Sequence, residues 1–263
     1  MTNVTVISLQ GHPTWAKLPK RKGRTLVLLH GGLSSSASLL RTLGHPLSRE
    51  FRIAAFDRRG HGRTADTAAP FSYSAMADET IAFLEYLDRR VHLVGHSDGG
   101  NVALLVAMRR PDLVHRVVAI GANYHYDGLM PMPAFDTEGE DFAAWAERFG
   151  EHSPDGASHA AVVEEKTRIM TYSEPNLTPS DLATIRVPVL VMAGDDDVAT
   201  LAHTCSMYES IPNAQLSIVP GTSHMLLKER TKESLRIIRH FLTLDLPPVT
   251  YMPIRRLDLD VND

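Results

Sequence analysis

A short run in the middle of the chain, residues 91–100 with the sequence Val-His-Leu-Val-Gly-His-Ser-Asp-Gly-Gly, constrains the fold more than any other stretch. Its apolar start is typical of a buried β-strand, and residues 101–108 have the composition of a helix. The pattern Gly-x-Ser-x-Gly between a strand and a helix predicts a sharp turn that holds Ser97 above the sheet edge. Gly95 and Gly99 lack the Cβ atoms that would crowd such a turn. The free N–H groups at the N-terminus of the following helix would favour negative charge that develops beside Ser97.

Apolar runs and helical periods alternate along most of the chain. Strands are predicted near residues 4–8, 15–18, 25–29, 51–56, 91–94, 114–120, 187–193 and 215–219, and helices near residues 73–87, 101–108, 201–211 and 232–242. Continuous apolar strands that alternate with helices are typical of parallel strands joined by right-handed βαβ units and buried on both faces. We therefore expect an α/β fold with a mostly parallel, doubly wound sheet.

The alternation lapses between residues 123 and 184. Two segments there, 141–149 and 160–171, have a helical pattern and are separated by Pro, Gly, Ser and Asp. We interpret residues 123–184 as a helical insertion, and residues 1–122 and 185–244 as the core that it interrupts. Residues 245–263, with three prolines, form a C-terminal extension for which we expect partial order.

Composition excludes several classes of function. The net charge of −4 gives no basic footprint for nucleic acid. A single cysteine, Cys205, rules out an internal disulfide framework and fits a reducing compartment. The N-terminal residues lack the pattern of a signal peptide, and no apolar run approaches the length of a membrane span. We therefore expect a cytoplasmic protein with no membrane partner.

Ser97 needs partners to react, because a serine hydroxyl is a weak nucleophile until an oriented base takes its proton. Ligands bind at the carboxyl ends of parallel strands, so both partners should follow strands. Three aspartates at residues 195–197 follow one predicted strand, and His224 follows the next. The residues alone leave the choice among the three aspartates open. The aspartate run could also bind a cation, but its neighbours offer no clear further ligands, so we predict no metal site.

Together these motifs resemble the α/β-hydrolase superfamily over nearly the whole chain. The resemblance rests on the elbow at 95–99, the His-Gly-Gly at 30–32, the turn at 57–62, the acid after Gly194 and the late His224. It implies the α/β-hydrolase fold, with a small helical cap inserted after the sixth strand of the family, and no cofactor.

The resemblance also implies a role for each matching position. Ser97 would be the nucleophile, His224 the base and then the acid, and Asp197 the group that orients the imidazole. Asp197 is selected because the family acid usually stands three residues after the glycine. The backbone N–H groups of Gly32 and Asp98 would form the oxyanion hole. Epoxide hydrolases and dehalogenases of the family carry an aspartate in place of this serine, which argues against those classes.

Asp98 could narrow the substrate class. The pattern Gly-x-Ser-Asp-Gly-Gly resembles the valacyclovir hydrolase-like esterases, in which the acid after the nucleophile holds the α-ammonium group of an aminoacyl ester. The alternative is a carboxylate that only stabilises a helix N-terminus, by about 0.3–1 kcal/mol. We also expect Leu33, Tyr124 and Met225 to contact substrate, although Tyr124 could equally belong to a hinge. Three methionines could line an apolar pocket or pack inside the cap: Met130, Met132 and Met170.

The sequence thus predicts a cofactor-free serine hydrolase that forms an acyl-enzyme on Ser97. Its substrate would be a small ester, thioester, lactone or amide, with an α-amino acid ester as one candidate. A C–C bond hydrolase, or a perhydrolase or haloperoxidase, would use the same fold. A small-ligand receptor could retain the fold without efficient turnover.

Overall fold

The computed structural model describes residues 3–19, 23–131 and 136–243. These residues form one sheet of eight strands: β1 Val4–Leu9, β2 His12–Lys17, β3 Thr25–Leu29, β4 Arg52–Phe56, β5 Val91–His96, β6 Val114–Ile120, β7 Val189–Asp196 and β8 Ala214–Ser223. The strands lie at the predicted apolar runs, because each run is long enough for a strand and too short for a typical helix.

The strand order across the sheet is β1-β2-β4-β3-β5-β6-β7-β8. Strands β3 to β8 run parallel to one another. Strands β1 and β2 form an antiparallel hairpin at one edge of the sheet. The mostly parallel sheet is therefore confirmed, and the carboxyl ends of its parallel strands share one edge.

Ten helices accompany the sheet in the described residues. They are α1 Ser36–Leu39, α2 His45–Leu47, α3 Tyr73–Leu87, α4 Asp98–Arg109, α5 Glu140–Gly150, α6 Ala160–Thr171, α7 Pro179–Leu182, α8 Leu201–Ser210, α9 Leu226–Glu229 and α10 Thr231–Thr243. A π-helical turn, Leu40–Gly44, joins α1 to α2, and short 3₁₀ turns occur at Pro111–Leu113, Tyr126–Gly128 and Ala157–His159.

Both faces of the sheet are covered by helices. Alternate side chains of a strand point to opposite faces, and Val27 and Leu29 of β3 join one core cluster with residues of α3, α4 and α8. Leu26 and Leu28 join a second cluster with residues of α1, α2, α9 and α10. This doubly wound arrangement explains why the strands are apolar at successive positions.

The insertion between β6 and β7 contains α5, α6 and α7. Its end returns to the core, since Leu182, Ile185 and Val187 join the first core cluster. The domain limits at residues 123 and 184 stay a prediction, and the predicted extension at residues 245–263 lies outside the described residues. Across the parts of the chain that the structure describes, no helix combines the length and apolarity needed to cross a membrane.

Candidate active site

Ser97 lies at the sharp turn between β5 and α4. Its φ of 55° and ψ of −124° are unusual for a residue with a Cβ atom. A Cβ atom on Gly95 would lie 2.0 Å from the carbonyl oxygen of Gly99, and one on Gly99 would lie 2.0 Å from that of Leu29. No side chain fits at either glycine, so the turn has the geometry that the Gly-x-Ser-x-Gly pattern predicts.

His224 and Asp197 meet at the same edge of the sheet. Asp197 directly follows β7 and His224 directly follows β8, and these two strands are neighbours. Nδ1 of His224 lies 2.7 Å from Oδ1 of Asp197. The Asp197 carboxylate is fully buried and also accepts the backbone N–H groups of Gly194, at 3.2 Å, and Val198, at 2.7 Å.

These contacts keep the Asp197 carboxylate ionised. Burial alone would raise its pKa, but the hydrogen bond and charge of His224, with the two backbone N–H groups, lower the pKa below the usual range. An ionised carboxylate accepts a hydrogen bond, so Nδ1 of His224 carries the proton that it shares with Asp197. The other ring nitrogen, Nε2, remains for contacts on the opposite side of the ring.

The His224 ring lies between Gly121 and the His96 ring, with 4.8 Å between the two ring centroids. It lies against Gly121, where an added Cβ atom would be 2.9 Å from two ring atoms. Nε2 of His96 lies 2.9 Å from the carbonyl oxygen of His224. Burial, followed by the charge of His224, lowers the pKa of His96 to about 4, so His96 is neutral near pH 7.

The other two aspartates of the run have different surroundings. Asp195 is exposed and accepts the backbone N–H of Thr222 at 3.0 Å, and Asp196 is also exposed. Within the described residues, no group of three His, Cys, Asp or Glu side chains is arranged to hold a metal ion. Asp197 is therefore the aspartate of this run that contacts His224.

A cavity of about 270 Å³ opens beside Ser97 and His224. The predicted site residues Gly32, Leu33 and Asp98 line it together with these two side chains. Its remaining lining residues are Tyr73, Gly121, Asn123, Leu129, Glu164, Thr167, Arg168, Thr171, Tyr172 and Val198. The structure thus brings together residues from both ends of the chain and from the insertion.

Helix α6 contributes one polar face to this cavity. Its four lining residues have the spacing i, i+3, i+4 and i+7, which places them on one side of a helix: Glu164, Thr167, Arg168 and Thr171. A methyl group of Thr167 lies 3.2 Å from where a Cβ atom of Gly32 would be, so α6 packs directly over that loop. Burial raises the pKa of Glu164, and the charge of Arg168 opposes this shift. Sequence reasoning missed this face, because polar faces of helices normally contact water.

The Asp98 side chain also borders the cavity and is only 6% exposed. The Tyr73 hydroxyl donates a hydrogen bond of 2.7 Å to Oδ1 of Asp98. Burial and then the charge of Asp98 raise the pKa of Tyr73 well above its usual value, so the hydroxyl stays a donor. Oδ2 of Asp98 is buried and has no hydrogen-bond partner among the described residues. Buried polar atoms are rarely left without a partner, so this oxygen is an exception among the buried atoms of the site.

Two predicted substrate contacts lie away from the cavity. The Tyr124 ring stacks on His203 with 4.1 Å between ring centroids, and its hydroxyl lies 3.0 Å from the Ser206 hydroxyl. The tyrosine side chain is therefore directed to α8 and does not line the cavity. Met225 is 38% exposed at the start of α9, so its position next to His224 in the chain does not bring it to the cavity.

Among the described residues, the methionines of the cap do not line the cavity. Met170 is 1% exposed and packs into the first core cluster. Met130 is 51% exposed and is not a lining residue. Met132 lies outside the described residues.

Comparisons with known proteins agree with this fold. Residues 26–235 match the model of the alpha/beta hydrolase family. A putative carbamate hydrolase RutD from Caulobacter sp. strain K31 is 30% identical, over 76% of this chain and 84% of the relative. A non-heme haloperoxidase from Rhodococcus erythropolis is 31% identical, over 77% of this chain and 86% of the relative.

A solved structure also resembles the chain. The enol-lactonase from Burkholderia xenovorans LB400 superposes with a TM-score of 0.73 and 19% identity, over 91% of this chain and all of the lactonase. At that identity the likeness shows the fold alone. The relatives are named for different reactions, so they support a hydrolase of this fold without specifying its substrate.

Proposed function

Because this chain belongs to the alpha/beta hydrolase family, we propose that it is a cofactor-free serine hydrolase that acts on a small ester, thioester, lactone or amide. Ser97 is the nucleophile, His224 is the general base and acid, and Asp197 orients the imidazole. One observation supports this assignment above others. His224 is hydrogen-bonded to Asp197 at 2.7 Å through Nδ1 and lines the same cavity as Ser97.

The first half of the reaction forms the acyl-enzyme. Nε2 of His224 takes the Ser97 hydroxyl proton while Oγ attacks the carbonyl carbon of the substrate. The tetrahedral oxyanion is stabilised by the N–H groups of Gly32 and Asp98, the latter at the N-terminus of α4. Collapse of the intermediate breaks the bond to the leaving group, which receives the proton from Nε2.

The second half releases the acyl group. Water enters, Nε2 of His224 takes one of its protons, and the resulting hydroxide equivalent attacks the acyl carbon. Collapse returns the proton to Oγ of Ser97 and frees the carboxylic acid. No step needs a metal or an organic cofactor, since the three side chains supply both proton transfer and nucleophile.

The cavity favours a small substrate with polar groups. Its volume of about 270 Å³ and the polar face of α6 suit a compact molecule more than a long acyl chain. Glu164 and Arg168 add opposite charges to this face. We therefore expect the acyl group or the leaving group of the substrate to carry hydrogen-bonding atoms that contact α6.

A more specific candidate is an α-amino acid ester, and Oδ2 of Asp98 favours it. This oxygen is buried and lacks a partner among the described residues, and the residue that carries it lines the cavity. A carboxylate there repels the oxyanion by about 4 kcal/mol for unit charges 4 Å apart at an effective dielectric of 20. An α-ammonium group between the two anions converts this repulsion into attraction.

The aminoacyl-ester candidate is tested by a comparison of two esters of one alcohol, with and without the α-amine. Asp98→Asn should lower kcat/KM for the amino ester roughly tenfold or more, since loss of one partner of a desolvated charge pair costs about 2–5 kcal/mol. The neutral ester should be hydrolysed equally well or better. Equal losses for both esters would assign Asp98 to the helix terminus alone.

The general function is tested with Ser97→Ala. We expect loss of fluorophosphonate labelling and a fall in turnover on the order of a millionfold, as for other serine nucleophiles. The folded state of the variant is checked by circular dichroism. Near-normal turnover by clean Ser97→Ala protein would contradict the mechanism, and very slow turnover by the wild type on a broad ester and lactone panel would favour a ligand receptor.

A further inference from the structure

A buried arginine lies beneath the loop that holds Gly32. Arg58, in the turn after β4, is fully buried. Its Nη1 donates a hydrogen bond of 2.6 Å to the carbonyl oxygen of His30, and its Nη2 donates one of 3.2 Å to that of Gly31. One guanidinium group therefore binds two successive carbonyls of the loop.

His30 completes this arrangement. The backbone N–H of Arg58 donates to Nε2 of His30 at 3.2 Å, so Nε2 is the acceptor nitrogen of the ring. Nδ1 then carries the proton and donates to the carbonyl oxygen of Gly31 at 2.7 Å. Burial, followed by the charge of Arg58, lowers the pKa of His30 well below its usual value, which keeps the ring neutral. The Gly31 carbonyl is thus held by two side chains.

The geometry of a peptide unit links these contacts to the cavity. The bond between Gly31 and Gly32 is trans, so the Gly31 carbonyl and the Gly32 N–H share one plane and point in opposite directions. The carbonyl is directed into the protein interior, toward Arg58 and His30. The Gly32 N–H must then point the other way, and Gly32 lines the cavity beside Ser97.

The positive charge of Arg58 also acts close to the Gly31–Gly32 peptide and Asp98. Among the groups that interact with its charge, Asp98 is the strongest and buried Glu79 the next. Nε of Arg58 is buried without a hydrogen-bond partner in the described part of the chain, so the guanidinium is incompletely satisfied. Burial of an incompletely paired cation lowers the stability of the fold. The benefit of Arg58 therefore lies in the geometry that it gives the loop and in the positive charge that it places near the oxyanion.

We propose, on the premise of the serine-hydrolase function above, that Arg58 is a positioning residue that directs the Gly32 N–H at the oxyanion. Arg58 does not touch the substrate. It acts through the two carbonyls of the loop, and its positive charge offsets the nearby Asp98 carboxylate when negative charge develops.

The test compares Arg58→Met and Arg58→Lys with a matched control, Arg63→Met. Arg63 belongs to the same turn, but it pairs with Asp57 at 2.8 Å and lies over the Trp15 ring, 3.4 Å from its centroid. Each variant is assayed with a neutral chromogenic ester for kcat and KM. Each is also titrated with a boronic acid, which forms a tetrahedral anion on the serine, and with a neutral amide that resembles the ground state.

We expect Arg58→Met to lower kcat about 10²–10³-fold, the range seen when one oxyanion donor is lost, while KM changes little. Its affinity for the boronic acid should fall in parallel, and its affinity for the neutral amide should stay near the wild-type value. Arg58→Lys keeps the charge and a donor, so it should recover part of the lost kcat. Arg63→Met should stay within a few-fold of the wild type in all four measurements.

Several results would overturn the role of Arg58. One is an unchanged kcat in folded Arg58→Met; another is equal loss of boronic acid and amide binding, which would indicate general damage to the site. If Arg58→Met does not fold, Arg58→Lys decides, and a wild-type ratio of boronic acid to amide affinity in that variant contradicts the inference. The proposed function fails separately, through retained turnover in Ser97→Ala, so the two failures can be distinguished.

Discussion

The two walls of the cavity are built in different ways. We define the core wall as the lining residues Gly32, Ser97, Asp98, Gly121 and His224, which follow the ends of four different strands. We define the cap wall as the lining face of α6, with Glu164, Thr167, Arg168 and Thr171. Positions on the core wall are set by strand pairing and by close backbone contacts, whereas positions on the cap wall depend on how one helix is docked.

The cap wall is attached to the core by side-chain contacts and not by strand pairing. Lys166 of α6 donates to the buried carboxylate of Asp66 at 2.7 Å, and His159, just before α6, lies 2.8 Å from the same oxygen. Asp66 belongs to the segment between β4 and α3, so polar side-chain contacts, including the Lys166–Asp66 ion pair, link the cap wall to the core. We infer that the core wall carries out the chemistry and the cap wall selects the substrate, and the following predictions test that division.

After Ser97→Ala, the largest effect is expected for Asp197→Asn on the core side. An amide in place of the carboxylate favours the wrong tautomer of His224, which costs about 10⁴ in kcat in related triads. The exposed neighbours Asp195 and Asp196 serve as controls, and their asparagine variants should lose far less activity. Steady-state kinetics on one neutral ester decides, and a larger loss for either control would assign the acid to that residue.

A smaller effect is expected for Gly121→Ala. The added methyl group would lie 2.9 Å from the His224 ring, and displacement of a reacting group by about 1 Å can cost roughly 10²-fold in rate. Gly156→Ala is the control, because Gly156 also has a positive φ, of +74°, but its Cβ would meet nothing within 4 Å. If both variants keep the wild-type kcat, Gly121 does not determine the position of the His224 ring.

On the cap side, Glu164→Gln should change selectivity more than rate. Unit charges about 8 Å apart interact by about 2 kcal/mol at an effective dielectric of 20, so the preference for a cationic over a neutral ester should fall by up to roughly thirtyfold. For the neutral ester kcat should change less than about threefold. Glu147→Gln on exposed α5 is the control for a lost cap charge. A large fall in kcat for every substrate would place Glu164 in the chemistry and break the division between the walls.

As the pH falls, the core should lose stability at a higher pH than the cap. Five buried or partly buried histidines have lowered pKa values: His30, His61 (about 4), His92 (about 3), His96 (about 4) and His203 (about 4), each with burial as the leading cause. The unfolded chain binds protons at these histidines near pH 6.5 and the folded chain only at lower pH, so stability falls as pH drops below about 6.5.

One carboxyl group opposes this trend. Burial raises the pKa of Glu79 to about 7, so its folded form holds a proton between about pH 4.5 and 7 and gains stability there. Five histidines outweigh one carboxyl, and we expect Tm to fall by roughly 5 °C or more between pH 7 and 5, since about 2 kcal/mol corresponds to a shift of that size. Differential scanning calorimetry measures it, and a flat Tm over this range would mean that the histidines are not buried as neutral rings.

The core wall could be predicted from the sequence because its residues stand directly after apolar runs. Ser97, Asp197 and His224 each follow a strand, and parallel strands bring their carboxyl ends together whatever their separation in the chain. The family resemblance, and not this rule, selects Asp197 from the three aspartates and implies that Gly32 and Asp98 are the oxyanion donors. The fold was predictable from the residues themselves, since the strand runs fix the sheet and the helical periods fix its two covering layers.

The cap wall, and the position of Arg58 beneath the core wall, could not be predicted in this way. The polar spacing of residues 164–171 is visible in the sequence, but it equally describes a helix face in water. Arg58 stands beside Arg59 in a turn rich in glycine and arginine, where a solvated side chain is the ordinary expectation. Tyr124 was expected at the substrate because it begins the insertion, yet its side-chain direction depends on contacts with His203 and Ser206 that adjacency in the chain does not reveal.

The most direct test of a reactive core wall is a rapid-quench reaction with a chromogenic ester, followed by intact-mass and peptide analysis. A burst of about one alcohol per chain should precede steady turnover wherever deacylation is the slower step, and the acyl mass should map to Ser97. Asp197→Asn should slow the burst, and Glu164→Gln should leave its amplitude unchanged. A burst that survives Ser97→Ala, or an acyl group on another side chain, would contradict the central claim.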